Sequence, residues 1–408
     1  MARLKGFQKL TSVEEALQIF FGALRIDCLE TVSVPLSSAL SRVLAKDVVA
    51  AQDLPRFDRS AMDGYAVRAE DTILASQFKL KTLQIVKADV LEKRQAIQVW
   101  TGNPLPEGAD AVVMLEDSRR INDRLDVCVS VTPGENISRK GEDMQKGKVA
   151  VEAGTRLRPQ HLGLLAALGH TEIDVFEKPQ IAILATGSEL APIGKRLQKD
   201  QVFEVNGLVL SAMCNELGAE PLVLGIAKDD IEEISRKLES QLDKADVLLT
   251  SGGTSAGRLD LVPDAVNELG KPGIMIHGVA MRPAMPTALG IVREKPIIVL
   301  PGNPVAAMIG FEVFVRPLIL RMLGITRESR PLTQAKMTRG IATTLGRRNF
   351  VRVRLLEKDG EFLAEPISAR GSAMISTMTK ANGYVVVPEN QEGLEQGEQV
   401  QVHIFGNV

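Results

Sequence analysis

Val247-Leu248-Leu249-Thr250-Ser251-Gly252-Gly253-Thr254-Ser255-Ala256-Gly257 is the stretch that decides the fold. Its apolar run Val247–Thr250 reads as a strand buried on both faces, the glycines end it, and Leu261–Leu269 has the spacing of a helix. The same alternation extends outward in both directions. Strand Ile181–Ala185 leads through Thr186-Gly187 to a helix over Gly207–Leu217, with Asn206 as cap and Gly218 as stop. Strand Leu222–Ile226 leads to helix Ile231–Leu242, opened by Asp230 with Glu233 as its capping-box partner. Strand Ile297–Leu300 leads to a long helix over Val305–Leu323. Strands alternating with helices at this spacing predict a mainly parallel sheet covered on both faces, so residues 181–326 form one doubly wound α/β domain.

The flanks differ in texture. Thr11 to Ala50 reads as helical, with Ser12 and Glu15 as a capping pair and a second helix over Ser37–Val43. Short β-like runs follow at Gly64–Val67, Ile97–Trp100, Ala111–Leu115 and Leu125–Val131, so residues 54–139 form a β-rich domain. The chain turns helical again over Gly154–Gly169, and Lys178-Pro179 marks a boundary. The tail, residues 327–408, has strand patterns at Phe350–Leu355, Glu361–Glu365, Gly383–Val387 and Gln399–Phe405. It reads as a small β-barrel or sandwich, and a C-terminal β-barrel domain is the expectation.

Bulk properties narrow the function classes. The 408 residues exceed one core, and 49 basic against 51 acidic side chains leave a net charge of −2. Such a balance gives no global field for nucleic acid or a membrane surface, so an anion site must be local. The basic start, Met1 to Gln8, lacks a following apolar core, and no apolar stretch of membrane-spanning length occurs. Cys28, Cys128 and Cys214 lack metal or redox spacing and read as inert thiols of a reducing compartment. The expected localisation is cytoplasmic.

In an open parallel sheet, ligands bind outside the carboxyl ends of the strands. There, Gly252, Gly253 and Gly257 permit close backbone approach, and N–H groups with the hydroxyls of Ser251, Thr254 and Ser255 suit an anion. The loop Pro301-Gly302-Asn303-Pro304 alone is a well-built helix start, and beside the first loop it makes a rigid wall. Glu189, Asp229 and Asp260 fall at the same edge and suit Mg²⁺ held between protein and phosphate, although Asp229 also suits a helix cap. Ser60–Val67 and Gly134–Asp143 read, by physics alone, as turns with solvated charge.

Ser60–Val67, Thr101-Gly102, Gly134–Asp143, Ala185–Leu190, Ser251–Ser255 with Asp260, and Leu300–Pro304 occur in this order. Together they resemble the molybdopterin molybdenumtransferases, the family that includes the E domain of gephyrin. The resemblance implies an α/β multidomain enzyme whose doubly wound domain is of the molybdopterin-binding type. It also joins residues 1–53 and 140–180 into one discontinuous linker and dimerisation domain. The implied reaction takes adenylylated molybdopterin and molybdate or tungstate, needs Mg²⁺, and releases AMP. The implied assembly is a homodimer with the site in a cleft between subunits, Asp63 coming from the dyad-related one. Transient contact with the adenylylating enzyme and with apo-molybdoenzymes goes with that chemistry.

Carried over by motif, the functional acids are Asp63, Asp143, Glu189, Asp229 and Asp260, the last three as metal ligands. Thr101, Arg139, Ser251, Pro301, Pro304 and Ser372 match cleft positions. One segment departs: many relatives carry Lys-Pro-Gly-Lys at the oxyanion site, whereas here it is Arg282-Pro283-Ala284-Met285. Arg282 keeps a cation with a planar fork, and Met285 removes the second, which predicts weaker metallate binding. Two other readings compete: an adenylyltransferase acting one step earlier, and a non-catalytic dimeric scaffold. The first lacks the Ser60–Val67 module and the β tail, and the second has no need of five carboxylates.

Overall fold

The computed structural model describes residues 10–25, 28–253, 261–325, 332–367 and 374–405. The chain divides into two compact units, one of them Ser33–Leu40 with Leu44–Asp174 and the other the remainder. Thr254, Ser255, Asp260 and Ser372 lie outside the described residues, as does the basic start.

In the larger unit, helix α1 (Val13–Ala23) opens with Ser12 Oγ accepting from Glu15 N–H at 3.2 Å. The predicted helix over Ser37–Val43 does not form; a single 3₁₀ turn, Leu36–Ser38, stands there instead, after an extended Thr31–Pro35. So short a segment must bear the full cost of helix nucleation, and Ser41, at φ 65°, is left-handed and ends any helical continuation.

The smaller unit carries a six-stranded sheet made of β1 (Gly64–Val67), β2 (Lys81–Ile85), β3 (Gln95–Val99), β4 (Ala111–Met114), β5 (Ser118–Ile121) and β6 (Arg124–Val127). Their order is β4-β1-β3-β2-β6-β5. Tyr65, Val67, Leu83, Val113 and Leu125 fill one side, as inward-facing positions of alternating strands do. Val48–Val49 pairs with Val149–Val151, joining distant segments, and α2 (Pro159–Ala167) follows.

The α/β sheet of the larger unit contains β7 (Gln180–Thr186), β8 (Glu220–Ala227), β9 (Val247–Ser251), β10 (Pro272–His277), β12 (Ala288–Val292) and β13 (Lys295–Leu300). Its order is β8-β7-β9-β13-β12-β10. The first four strands run parallel, while β12 and β10 are added by antiparallel pairing and are absent from the sequence-based expectation. Helices α3 (Asn206–Glu216), α4 (Ile231–Glu239) and α5 (Leu261–Leu269) complete the crossovers. Leu184, Leu248 and Val299 of the sheet pack with Ile234, Leu238 and Val266 from α4 and α5. These side chains carry the hydrophobic stabilisation of that face, about 1.5–3 kcal/mol for each fully buried one.

Two predicted caps are corrected. Asp230 Oδ1 does accept from Glu233 N–H at 2.8 Å, but Glu233 reaches back to Lys228 N–H, so only half the capping box exists. Asn206 is not a cap: Val205 holds the cap position, and the Asn206 side chain is used elsewhere. The long helix after β13 is also not uniform. It runs α6 (Pro304–Gly310), a π turn at Phe311–Val315, then α7 (Arg316–Met322). Pro317 lacks the N–H an α-turn needs, and the widened turn precedes it.

The tail closes on itself. β14 (Leu332–Met337), β15 (Arg348–Lys358), β16 (Glu361–Pro366), β17 (Gly383–Val387) and β18 (Gln399–Ile404) run in the order β15-β16-β14-β18-β17. Pairing of β15 with β17 completes a five-stranded barrel and resolves the barrel-or-sandwich alternative. A two-residue strand, β11 (Met281–Arg282), joins from the α/β part by pairing parallel to β15. No helix among the described residues is long and apolar enough to cross a membrane. The three cysteines are free thiols, and burial pushes that of Cys214 up to about 12, which keeps it unreactive.

Candidate functional site

Strands β7, β8, β9 and β13 all end at one edge, where their loops line a cavity of about 790 Å³. Thr186, Glu189, Asp229, Ser251, Gly252 and Gly253 line it together with Pro301, Gly302, Asn303 and Pro304. The parallel register places these loop starts side by side, with Ser251 beside Ala185 on one flank and Leu300 on the other.

Close packing fixes the glycines. A Cβ on Gly252 would stand 2.2 Å from Thr186 O, and one on Gly253 would stand 2.4 Å from Val262 Cγ2. Both have positive φ, at 104° and 64°. Their smallness is therefore demanded by the protein's own strands and helix, whatever binds. Gly302 sits against Gly252, its Cβ position 3.4 Å from the Gly252 Cα, so the two loops touch.

Hydrogen bonds tie the loops further. Gly252 N–H donates to Leu300 O at 3.0 Å. Ser251, only 2% exposed, donates its hydroxyl to Pro301 O at 3.4 Å and accepts from Asn206 Nδ2 at 2.6 Å. The Ser251 hydroxyl and Gly252 N–H, expected from sequence to face an anion, are thus engaged inside the protein. On the other side, Ser188 N–H donates to Asp229 Oδ2 at 3.0 Å and Asp229 N–H to Ser188 Oγ at 3.2 Å. That reciprocal pair locks the loops after β7 and β8. Glu189 and Asp229 are both exposed on this edge. Among the described residues no group of three His, Cys, Asp or Glu stands ready to hold a metal.

A second cavity, also about 790 Å³, lies between the α/β part and the barrel. It shares Pro286, Pro301 and Asn303 with the first. Arg282, Arg339, Arg347 and Arg352 line it, and among the described residues no carboxylate does. Arg282 Nη1 donates to Thr344 Oγ1 at 2.7 Å, and Arg339 Nη2 to Pro366 O at 2.6 Å. Arg352 is 4% exposed, its Nε finds no partner among the described residues, and burial lowers its pKa. A guanidinium nevertheless stays charged, so an uncompensated cation points to anion binding. Sequence reasoning found Arg282 and missed the other three. The signal was there: an arginine between Val351 and Val353 breaks an otherwise apolar run of buried strand.

In the smaller unit, Arg59–Ser60 pairs with Ile137–Ser138, which sets the Ser60–Val67 and Gly134–Asp143 modules side by side. Asp63 Oδ1 accepts from Thr101 N–H at 2.7 Å and from Thr101 Oγ1 at 2.8 Å. The backbone bond first, then the hydroxyl, lowers the Asp63 pKa by favouring the carboxylate. The Arg139 guanidinium covers Gly134, where a Cβ would meet Nη2 at 2.7 Å, and Arg139 N–H donates to Glu142 Oε2. Asp143 is exposed, with its N–H bonded to Leu54 O.

Three family descriptions match the chain. The MoeA N-terminal region (domain I and II) matches residues 11–169, a probable molybdopterin binding domain matches 182–321, and the MoeA C-terminal region (domain IV) matches 334–405. The chain is 37% identical over 383 residues to molybdopterin molybdenumtransferase 2 of Mycobacterium tuberculosis, covering 91% of this chain and 94% of that protein. It is 36% identical over 380 residues to a putative molybdopterin biosynthesis protein of Methanocaldococcus jannaschii, covering 91% and 92%. The crystal structure of a molybdopterin biosynthesis MoeA protein from Pyrococcus horikoshii superposes with TM-score 0.82 at 35% identity, covering 98% of this chain and all of that one.

Proposed function

The chain belongs to the MoeA family of molybdopterin molybdenumtransferases, and from that premise we propose that it inserts molybdate or tungstate into adenylylated molybdopterin and releases AMP. The observation that carries this reading is the pair of adjoining cavities sharing Pro286, Pro301 and Asn303. One, at the strand ends, suits the phosphate-bearing pterin nucleotide. The other presents four arginines to an oxyanion, whose planar forks match tetrahedral oxygens. A shared wall brings the two reactants together.

Glu189 and Asp229 offer exposed carboxylate oxygens on the strand-end cavity, a donor set that fits Mg²⁺, which keeps several waters and binds through one or two carboxylates plus phosphate. When bound, the ion neutralises charge on phosphate oxygens. The Ser188–Asp229 pair holds the Asp229 carboxylate in place, and Asp260 is the further acid that the family pattern adds. The Arg282, Arg339, Arg347 and Arg352 side chains would orient the metallate. We extend the proposal to a cytoplasmic homodimer in which Asp63, Thr101, Arg139 and Asp143 of one subunit complete the site of the other.

The test is to mix the purified protein with adenylylated molybdopterin, Mg²⁺ and molybdate or tungstate, and to follow AMP release and activation of an apo-molybdoenzyme. Metallate-dependent release with active enzyme formed is expected. Binding without release would contradict the reading.

A further inference from the structure

Resting on that transferase reading, we propose that Asn206 is a positioning residue for AMP release, the amide that holds the two ligand loops at a fixed spacing. It stands at the first turn of α3, 8% exposed and lining the strand-end cavity. Its Nδ2 donates to Ser251 Oγ at 2.6 Å and to Gly302 O at 2.7 Å. A carbonyl oxygen only accepts, so the contact with Gly302 settles which end of the amide carries the protons. One NH₂ group therefore bridges the loop after β9 and the loop after β13.

Two further observations separate positioning from plain packing. Asn206 Oδ1 is buried and finds no hydrogen-bond partner among the described residues. The orientation is held by what the NH₂ does, since turning the amide over would set its oxygen against Gly302 O. Secondly, Ser251 has one proton and sends it to Pro301 O over a long 3.4 Å. With Asn206 Nδ2 donating to the Ser251 Oγ, the direction of that hydroxyl is fixed. Asn206 thus sets both the distance between the loops and the polarity of the group between them.

Displacement of catalytic geometry by about 1 Å costs on the order of 10²-fold in rate. The experiment compares the wild type with Asn206→Asp and Asn206→Ala in saturating molybdate and Mg²⁺. It reads kcat and KM for AMP release at pH 5 to 8, each relative to wild type at the same pH, together with thermal unfolding. Asn206→Asp is expected to lose about 100-fold in kcat at pH 8, with KM raised no more than about tenfold. It should recover roughly tenfold toward pH 5, because a protonated carboxyl again donates to Gly302 O. Asn206→Ala should show a loss of similar size, independent of pH, with both variants folded.

Folded variants with wild-type kcat would overturn the inference, and so would losses that follow thermal stability without recovery at low pH. Should the wild type release no AMP, the transferase reading fails by itself. Affinity for AMP, measured by calorimetry on the same three proteins, then decides. A roughly tenfold loss that recovers at low pH in Asn206→Asp alone supports the positioning role, and equal affinities reject it.

Discussion

The two cavities sharing Pro301 and Asn303 are built on opposite plans. At the strand ends, the polar groups mostly answer one another: Ser251 with Asn206 and Pro301, Gly252 with Leu300, Ser188 with Asp229. Beside the barrel, arginines gather with no carboxylate among the described residues lining the cavity, and the buried Arg352 Nε has no partner among them. The first site is fixed by hydrogen bonds between its own loops, and the second holds affinity in reserve as unneutralised charge. Mutations should separate the two: changes in the first should act on rate, and changes in the second on the concentration of oxyanion required.

Asp229→Asn gives the largest expected effect. An asparagine Oδ1 still accepts from Ser188 N–H, so the loops keep their shape while the charge goes. AMP release should fall by about 10²-fold, with more Mg²⁺ needed for half-maximal rate and unfolding unchanged. Arg352→Met should raise the metallate concentration for half-maximal rate by roughly 10–100-fold, the size of a lost charged hydrogen bond. Because it also removes a buried unpaired cation, its unfolding midpoint should not drop. A variant in which kcat falls instead would erase the contrast between the sites.

Met285→Lys should lower the same half-saturating concentration by about threefold at low salt and less at high salt. Unchanged values would remove that position from anion binding. The smallest effect concerns Asp63 in the other unit. Its folded pKa is depressed, so its stabilising contribution is complete above the unfolded value of about 3.9 and fades as pH falls through the lower, folded one. Thr101→Ala removes the hydroxyl bond and should move the Asp63 titration, followed by carboxyl-carbon NMR, upward toward the ordinary range.

The α/β domain was largely legible because its signals are local. Val247–Ser251 and Leu261–Leu269, and in the barrel Gly383–Val387, have the predicted character in nearly the predicted bounds, each being a buried run or a 3.6-residue stripe ended by glycine or a turn. What escaped was set from a distance. Pro272–His277 and Ala288–Val292 become strands by pairing with each other, which no local period announces. Asn206 looked like a cap because asparagine before an apolar run usually is one, but Ser251 and Gly302 supply better partners across the sheet edge. The cation cavity was the least legible part, since Arg282 and Arg352 meet only once the barrel has closed.

The stretch Gly278–Arg282 is held from two sides. Ala280 N–H donates to Thr11 O, Thr11 N–H donates to Gly278 O, and Arg348 N–H donates to Ala280 O, while β11 pairs with β15. On a ribosome the first of these partners already exists when the stretch emerges, but the second is still unmade. At roughly 5–20 residues per second, the nascent chain waits on the order of seconds for Arg348 and longer for the closing strand. Once Pro304 has emerged, and until Arg348 does, the strand-end loops are complete while Arg282 has no wall opposite it. Synthesis order would therefore let the nucleotide-side pocket form before the oxyanion pocket, and a ribosome stalled within the tail would expose a chain with only the first.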